Sequence, residues 1–230
     1  MTYAPVPLPV PGRVLRSPVG LSHAVTALLG LVVVADLAIV AASLNMRSLM
    51  SGLATGGAVD FDESEADRAD LAMAGASVLY TAALLGAAVL FIIWFHRLRQ
   101  NAEIFAPDVP RRTAGWAIAC WFIPVANLWI PRGIALDVLR ASQPDPYGGV
   151  VRHRALLNTW WALWVWSLVF DRYATNRYDD AEDAGAIHDA AGALMAGAGF
   201  DIAAAVLAIL VVRALTSAQN AKAHAGPRAG

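Results

Sequence analysis

Charged residues are scarce in this chain. They make up 15% of its 230 residues, whereas about a quarter of the residues in ordinary soluble domains are charged. The hydrophobic share is 58% and the mean hydropathy is +0.52, a composition typical of a protein embedded in a bilayer. The formal net charge of −1 leaves no excess of basic residues to attract nucleic acid. We therefore expect an integral membrane protein with no nucleic-acid partner.

Cysteine is almost absent, because Cys120 is the single one in the chain. One thiol excludes an internal disulfide and any metal cage built from cysteines. The five histidines have no ligand-like spacing, and the sequence has no phosphate-binding loop, dinucleotide-binding glycine set, zincin motif or nucleophile elbow. We therefore expect no cofactor and no metal, and we assign no catalytic residue.

Long stretches without charged residues predict the membrane-spanning helices. A spanning helix needs about 20 apolar residues, and three stretches meet this length on their own. A fourth, tryptophan-rich stretch is shorter. It reaches the required length only if Val150 and Val151 extend the helix and the basic residues beside them reach the membrane surface. The predicted spans are 22–44, 71–95, 152–170 and 190–212.

The uncharged stretch 113–131 has a suitable length, but proline interrupts it. Pro124 and Pro131 each lack an amide hydrogen and clash with the preceding turn of a helix. Asn127 lies between them and can hydrogen-bond the carbonyls that they free. Since irregular backbone at membrane depth must be buried in protein or line a wet cavity, we expect a re-entrant or interfacial segment that begins with a helix over 113–123. The residues that define this broken segment are Trp121, Pro124, Asn127, Trp129 and Pro131.

A short amphipathic helix is predicted over 131–143, directly after the broken segment. Pro131 suits the first turn of a helix, and further prolines follow its end. Its charged residues Arg132, Asp137 and Arg140 fall away from its apolar face. We therefore expect this helix to lie along the membrane surface. The apolar face consists of Ile134, Val138 and Ala141.

Basic residues decide the predicted topology. If the broken segment does not cross the membrane, 13 of the 17 Lys and Arg residues lie on one side; if it crosses, the division is 8 against 9. The bias of positive charge towards the cytoplasm therefore favours four spans, with both termini cytoplasmic. Residues 1–20 and 217–230 are predicted to be flexible tails of one membrane domain, 21–216. The acidic loops 45–70 and 171–189 then face outward as solvated loops, because neither has calcium-loop spacing.

Aromatic and basic residues concentrate at the predicted cytoplasmic side. All eight tryptophans lie between positions 94 and 166. Two interpretations stay open: a belt of indoles at the membrane interface, or an aromatic-walled pocket roofed by 124–130. The aromatic layer comprises Trp116, Asn158, Trp160, Trp161 and Trp164, and the basic interface comprises Arg97, Arg99, Arg111, Arg112, Arg132 and Arg140.

Asp36 and Asp201 lie near the middle of the first and the last predicted spans. At about 1.5 Å per residue, both carboxyls lie roughly 18–21 Å from the cytoplasmic ends of their helices, so they can meet. Two ionised carboxylates in lipid repel each other, and at least one of them would keep its proton. The pair is either a proton or cation site, or a neutral link between helices that is hydrogen-bonded to a Ser, a Thr or Tyr80.

The broken segment and its neighbours resemble a known bacterial membrane family. The stretches GWAIACWFIPVANLWIPRGIALDVLRAS, LLNTWWALWVWSLV and FHRLRQNAEIF are similar to domain of unknown function 4328, and the resemblance runs from about Arg13 to about Gln219. It implies a multi-span protein of the bacterial cytoplasmic membrane. The family has no assigned activity, so it supplies no site residues to transfer. The resemblance rests on the order and spacing of Trp121, Pro124, Asn127, Trp129, Pro131, Asn158, Trp160 and Trp161.

Three classes of function remain open. The first is a non-enzymatic membrane module that binds a lipid, such as an anionic lipid, a small molecule or a partner protein through its cytoplasmic Arg and Trp layer. The second is a small ion- or proton-coupled permease or channel subunit that uses Asp36 and Asp201. It would have to form a homo-oligomer, because four spans are few for a pore. The third is an intramembrane enzyme, for which no nucleophile–base pair or metal set is visible.

Overall fold

The computed structural model describes residues 14–54 and 63–225, and this part of the chain is all-helical. Residues 1–13 and 226–230 of the predicted tails lie outside it. The tail predicted over 217–230 starts too early, because the last helix continues to Ala225. The helices are α1 (Val19–Ala54), α2 (Glu63–Phe105), α3 (Trp116–Ala119), α4 (Ile130–Ala141), α5 (Arg154–Asp179) and α6 (Ala184–Ala225), with a 3₁₀ turn over Val125–Leu128.

Within the described ranges, three helices are long and apolar enough to cross a membrane, namely α1, α2 and α6. Each contains one of the predicted spans and extends beyond it at both ends. α2 also carries an exposed apolar stripe, in which Leu71, Val78 and Leu85 repeat every seventh residue. Such a stripe on a helix surface suits contact with lipid tails.

The long helices form a row of neighbours, in which α1 packs against both α2 and α6, and α5 packs against α6. The core is concentrated at the end of the bundle where α4 contacts α2, α5 and α6. Polar side chains join the helices there. The Nε2 of Gln219 donates to the Leu98 carbonyl at 2.9 Å, and the Nδ2 of Asn101 donates to the Gln219 Oε1 at 3.0 Å. These buried bonds fix α6 against α2.

α5 has 26 residues and begins at Arg154, so Val150 and Val151 do not extend it as predicted. At its C-terminal end, α5 continues to Asp179, beyond the predicted end at residue 170. Asp171 is therefore a helical residue, and its assignment to the outward loop 171–189 is wrong. The charges near both ends of α5 shorten its apolar stretch, which explains why it is less apolar than the other three long helices.

The broken segment contains no continuous helix. α3 covers only four residues, so the predicted helix over 113–123 is too long. Pro124 is extended and Val125 has a φ of 51°, a left-handed conformation that is costly for a β-branched residue. The backbone amide of Asn127, rather than its side chain, donates to the Ile123 carbonyl at 3.0 Å. The predicted bond would need the Asn127 Nδ2 as donor, and no such bond is present within the described ranges; the Asn127 Oδ1 is buried without a hydrogen-bond partner.

α4 is not a surface helix. Eight of its twelve residues are buried, including the predicted apolar face and also Asp137, whose side chain is 4% exposed. Asp137 accepts from Arg111, whose Nη2 lies 3.1 Å from Oδ1, so the buried charge is paired. The helical pattern predicted a polar face for Asp137, because the pairing with Arg111 is a tertiary contact that the pattern does not contain. Pro131 occupies the first turn of α4 as predicted.

Candidate functional site

Three carboxyl groups come together in the bundle, and each belongs to a different helix. Asp36 on α1 is 1% exposed, whereas Asp201 on α6 and Asp171 on α5 are half-buried. The Tyr80 hydroxyl of α2 donates to the Asp201 Oδ2 at 3.1 Å. The cluster therefore receives a side chain from each of the four long helices. We name Asp36, Tyr80, Asp171 and Asp201 the carboxyl cluster.

Asp201 is the member with the most hydrogen-bond partners. Besides Tyr80, the side chains of Ser167 and Asp171 lie within hydrogen-bonding distance of its carboxyl. An ionised carboxylate only accepts hydrogen bonds, so a bond between two carboxyls requires a proton on one of them. The sequence predicted a shared proton for Asp36 and Asp201, and the structure adds Asp171 as a third carboxyl close to both of them.

Gly197 makes room for this pair. It lies one helical turn before Asp201, and a Cβ atom added to it would come within 2.9 Å of the Asp171 Oδ1. Any side chain at this position would therefore push the Asp171 carboxyl away. At Gly199, two residues further along α6, an added Cβ would meet nothing within 4 Å. The close approach of α5 to Asp201 thus depends on one particular glycine.

Asp36 is the least satisfied member of the cluster. Its Oδ2 is buried without a hydrogen-bond partner, although Asp201 and Asp171 both act on this carboxyl electrostatically. Ser43, two turns further along α1, is fully buried and its Oγ also lacks a partner. Buried polar groups without partners are rare in native structures, and each calls for an explanation such as a bound water or ion. Both groups lie on the buried side of α1.

No positive charge balances the cluster in the described part of the chain, where the ion pairs between side chains involve other residues. The same residues contain no group of three His, Cys, Asp or Glu side chains arranged to hold a metal ion. Three negative charges this close in a medium of low dielectric constant would repel strongly. Protons or a bound cation would offset this repulsion.

Trp161 and Trp164 of the aromatic layer pack against Trp121 of the broken segment. The Trp121 indole makes edge-on contacts with Phe91 and Phe95, at centroid distances of 5.5 and 5.9 Å, and with Trp164 at 5.9 Å. Trp161 is anchored by its Nε1, which donates to the Leu128 carbonyl at 2.9 Å. Trp160 and Trp161 are buried, whereas Trp116, Trp129 and Trp166 are exposed. The layer thus joins the broken segment to α2 and α5.

Most of the basic interface is occupied by contacts within the chain. Four of its six arginines have such a partner: Arg97 with the Ser17 carbonyl, Arg99 with Glu103, Arg111 with Asp137, and Arg132 with Asn158. The side chains of Arg112 and Arg140 form no hydrogen bond or ion pair within the described ranges. Arg111 joins the loop after α2 to α4, and Arg132 joins α4 to α5, which are structural roles.

Cys120 is buried beside the broken segment. Burial raises the pKa of its thiol to about 11, so the thiol stays protonated at neutral pH. A protonated thiol is a poor nucleophile, which disfavours a cysteine-based enzyme.

Sequence reasoning missed Asp171, Ser167 and Gly197 as parts of the site. Asp171 and Ser167 could have been found from the helical spacing of the residues that α5 buries. Leu157, Trp160, Ser167 and Ala174 are buried at intervals of three, seven and seven residues, and Asp171 continues this face four residues after Ser167. Gly197 carried no usable signal in a chain with 18 glycines.

The comparisons with known proteins support one family. The family model described as Domain of unknown function (DUF4328) matches residues 58–217, which is most of the chain. The match includes α2 to α6, and hence Tyr80, Asp171 and Asp201, but not α1 and Asp36. It is therefore shorter than the resemblance expected from Arg13 onwards. No curated protein and no solved structure matches the chain.

Proposed function

Since the chain belongs to the DUF4328 family, a family of unknown function, we propose from its own geometry that it binds and moves protons through the carboxyl cluster. One observation carries the proposal: three carboxyls from three helices meet without a counter-charge in the described residues, with Tyr80 donating to Asp201 at 3.1 Å and the Asp171 carboxyl lying against Gly197, one turn from Asp201. Ionisable residues at membrane depth are costly, and they commonly mark ion pathways and proton relays.

The cluster has the parts that a proton relay needs. Asp171 and Asp201 exchange a proton directly, because each can donate or accept depending on its charge. The hydroxyls of Tyr80 and Ser167 adjoin Asp201 and can pass or stabilise a proton. Asp36 and Ser43, with their unpartnered oxygens, offer the next positions along α1. The cluster would then connect with solvent along the buried face of α1.

The outer end of this face is closed by a contact between α1 and α6. The Nη1 of Arg47 donates to the His188 carbonyl at 2.9 Å. An Ala at Gly192 would displace this guanidinium, because an added Cβ would overlap Arg47. Arg47 lies one turn after Ser43, so it stands between the buried face of α1 and the acidic turn that precedes α6. We propose that its movement admits protons.

We propose that the protein lies in the bacterial cytoplasmic membrane with four spans and cytoplasmic termini, α5 being the fourth. The arginine distribution supports this topology. The proposal also treats the broken segment as re-entrant, because 113–131 lacks a continuous helix and is packed against α2 and α5. A bundle of four spans has few helices to enclose a pathway, so we propose that copies associate in the membrane.

The two ends of α5 test the proposed topology. In a Cys120→Ser background, Asn176→Cys should react with an impermeant maleimide added to intact cells, whereas Val150→Cys should react only after permeabilisation. Both positions are exposed, unlike Ser142, which is 3% exposed and would resist labelling on either side. The Cys120→Ser protein is the control for labelling elsewhere. Labelling of both positions from the same side would exclude α5 as a span.

Proton movement itself is measured in vesicles that contain the purified wild-type protein and a pH-sensitive dye. With a potassium gradient and valinomycin setting the membrane potential, the internal pH should change faster than in protein-free vesicles. The dependence of the rate on the potential distinguishes carried protons from neutral leakage. A rate equal to that of protein-free vesicles, with folded protein present, would overturn the proposed function.

A further inference from the structure

A large groove lies at the end of the bundle that contains the last turns of α6. It has a volume of about 970 Å³ and is formed by the end of α2, the loop after α4 and the last turns of α6. Leu15, Ile104 and Phe105 give it apolar walls, and small side chains of α6 line the rest. Grooves of this size hold ligands as large as drugs and cofactors.

The charged side chains that line the groove are all basic. They are Arg152, Arg213 and Lys222, together with the titratable His153, and no Asp or Glu is among the lining residues. Lys222 directs its Nζ to the carbonyls of Ala141 and Gln143, at 2.8 Å each. The guanidinium groups of Arg152 and Arg213 form no hydrogen bond or ion pair within residues 14–54 and 63–225. Two guanidinium groups that line one groove favour the binding of an anion there.

The groove lies where the helices leave their apolar stretches. Arg213 is the first charged residue after Asp201 on α6, and Arg152 stands just before the start of α5. On the proposed topology this level is the cytoplasmic surface of the membrane, where lipid phosphates lie. The groove therefore presents cations at phosphate level and apolar walls beside them, and these two features match the two ends of an amphiphile.

We infer that this groove binds an anionic phospholipid, with its headgroup phosphate between Arg152 and Arg213 and the start of an acyl chain along Phe105 and Leu15. A free inorganic anion would use the arginines but leave the apolar walls without a partner. A zwitterionic lipid would use the walls but bring its own cation near the arginines. An anionic phospholipid matches both the arginines, through its headgroup, and the apolar walls, through its acyl chain. The site is separate from the basic interface, because none of the six arginines of that interface lines it.

Native mass spectrometry of the full-length protein in detergent tests this inference with phosphatidylglycerol, phosphatidylcholine and inorganic phosphate as probes. Wild-type protein should retain phosphatidylglycerol in preference to phosphatidylcholine. The double variant Arg152→Gln/Arg213→Gln should bind phosphatidylglycerol about thirtyfold more weakly, from the loss of two headgroup contacts. The control Arg68→Gln/Arg172→Gln removes two exposed arginines that lie outside both the groove and the basic interface, and it should bind as wild type does.

A second variant tests the apolar part of the site with both arginines in place. Ala221 is exposed and lines the groove, so Ala221→Trp should fill the groove and also weaken phosphatidylglycerol binding. Thermal melting would establish that each variant is folded. Unchanged phosphatidylglycerol binding in both folded variants would overturn the inference. Equal retention of phosphatidylcholine, or displacement of the lipid by millimolar phosphate, would also overturn it, the latter in favour of a simple anion site.

Discussion

Replacing Asp201 by Asn is expected to stop proton movement through the protein and to leave the fold intact. Asparagine keeps the shape of the side chain and one acceptor oxygen for Tyr80, but it cannot bind and release a proton. Asp201 is also the carboxyl that contacts both Asp171 and Ser167, so no other residue can take its place. Loss of a proton-transferring group commonly costs a hundredfold or more, and we expect the dye-monitored rate to fall by about this factor.

Asp189→Asn is the matched control, because Asp189 lies on the same helix and its side chain is 69% exposed. This variant should move protons at the wild-type rate. A folded Asp201→Asn protein that retains the wild-type rate would show that protons do not pass through Asp201. The carboxyls would then serve as hydrogen-bonded links between helices.

Replacing Gly197 by Ala should slow proton movement about tenfold, although no titratable group is changed. The added methyl group occupies the place of the Asp171 carboxyl, which lies at the end of a flexible side chain and can swing away. The fold should survive this shift, and the helix itself gains about 1 kcal/mol when Ala replaces Gly. The transfer between Asp171 and Asp201 should not survive it, since displacements of about 1 Å have large effects on reacting groups.

Gly199→Ala separates the gain in helix propensity from the displacement of Asp171. It brings the same gain in propensity, but its added methyl group meets no neighbouring atom. Both variants should melt at or slightly above the wild-type temperature, and only Gly197→Ala should lose rate. A wild-type rate of proton movement in both variants would mean that the position of Asp171 is irrelevant. Equal losses would point to the flexibility of α6 rather than to the carboxyl pair.

The three apolar spans were predictable from the sequence because a long uncharged run has one stable arrangement in a bilayer. The broken segment was predictable in kind, since Pro124 prevents a continuous helix, but its details were not. The length of α3 and the left-handed Val125 depend on packing against α2 and α5. The burial of Asp137 was equally hidden, because it depends on Arg111, 26 residues earlier in the chain.

The carboxyl cluster was predictable only in part. Asp36 and Asp201 stood out because each interrupts an apolar run. Asp171 did not, because it is the first charge after such a run and therefore resembles the start of a loop. Only the continuation of α5 to Asp179 turns it into a member of the bundle. Its contact with Asp201 joins two helices through tertiary packing, and helical periodicity alone does not contain this information.

We propose that the carboxyl cluster binds a proton and that it loses this proton when Asp201 is replaced by Asn. Infrared difference spectra between acidic and alkaline pH, recorded on the protein in lipid vesicles, measure protonated carboxyl groups directly. We expect a carboxylic acid band in the wild-type and Asp189→Asn proteins that disappears in Asp201→Asn. A wild-type spectrum whose carboxylic acid bands are all retained in folded Asp201→Asn protein would contradict this proposal.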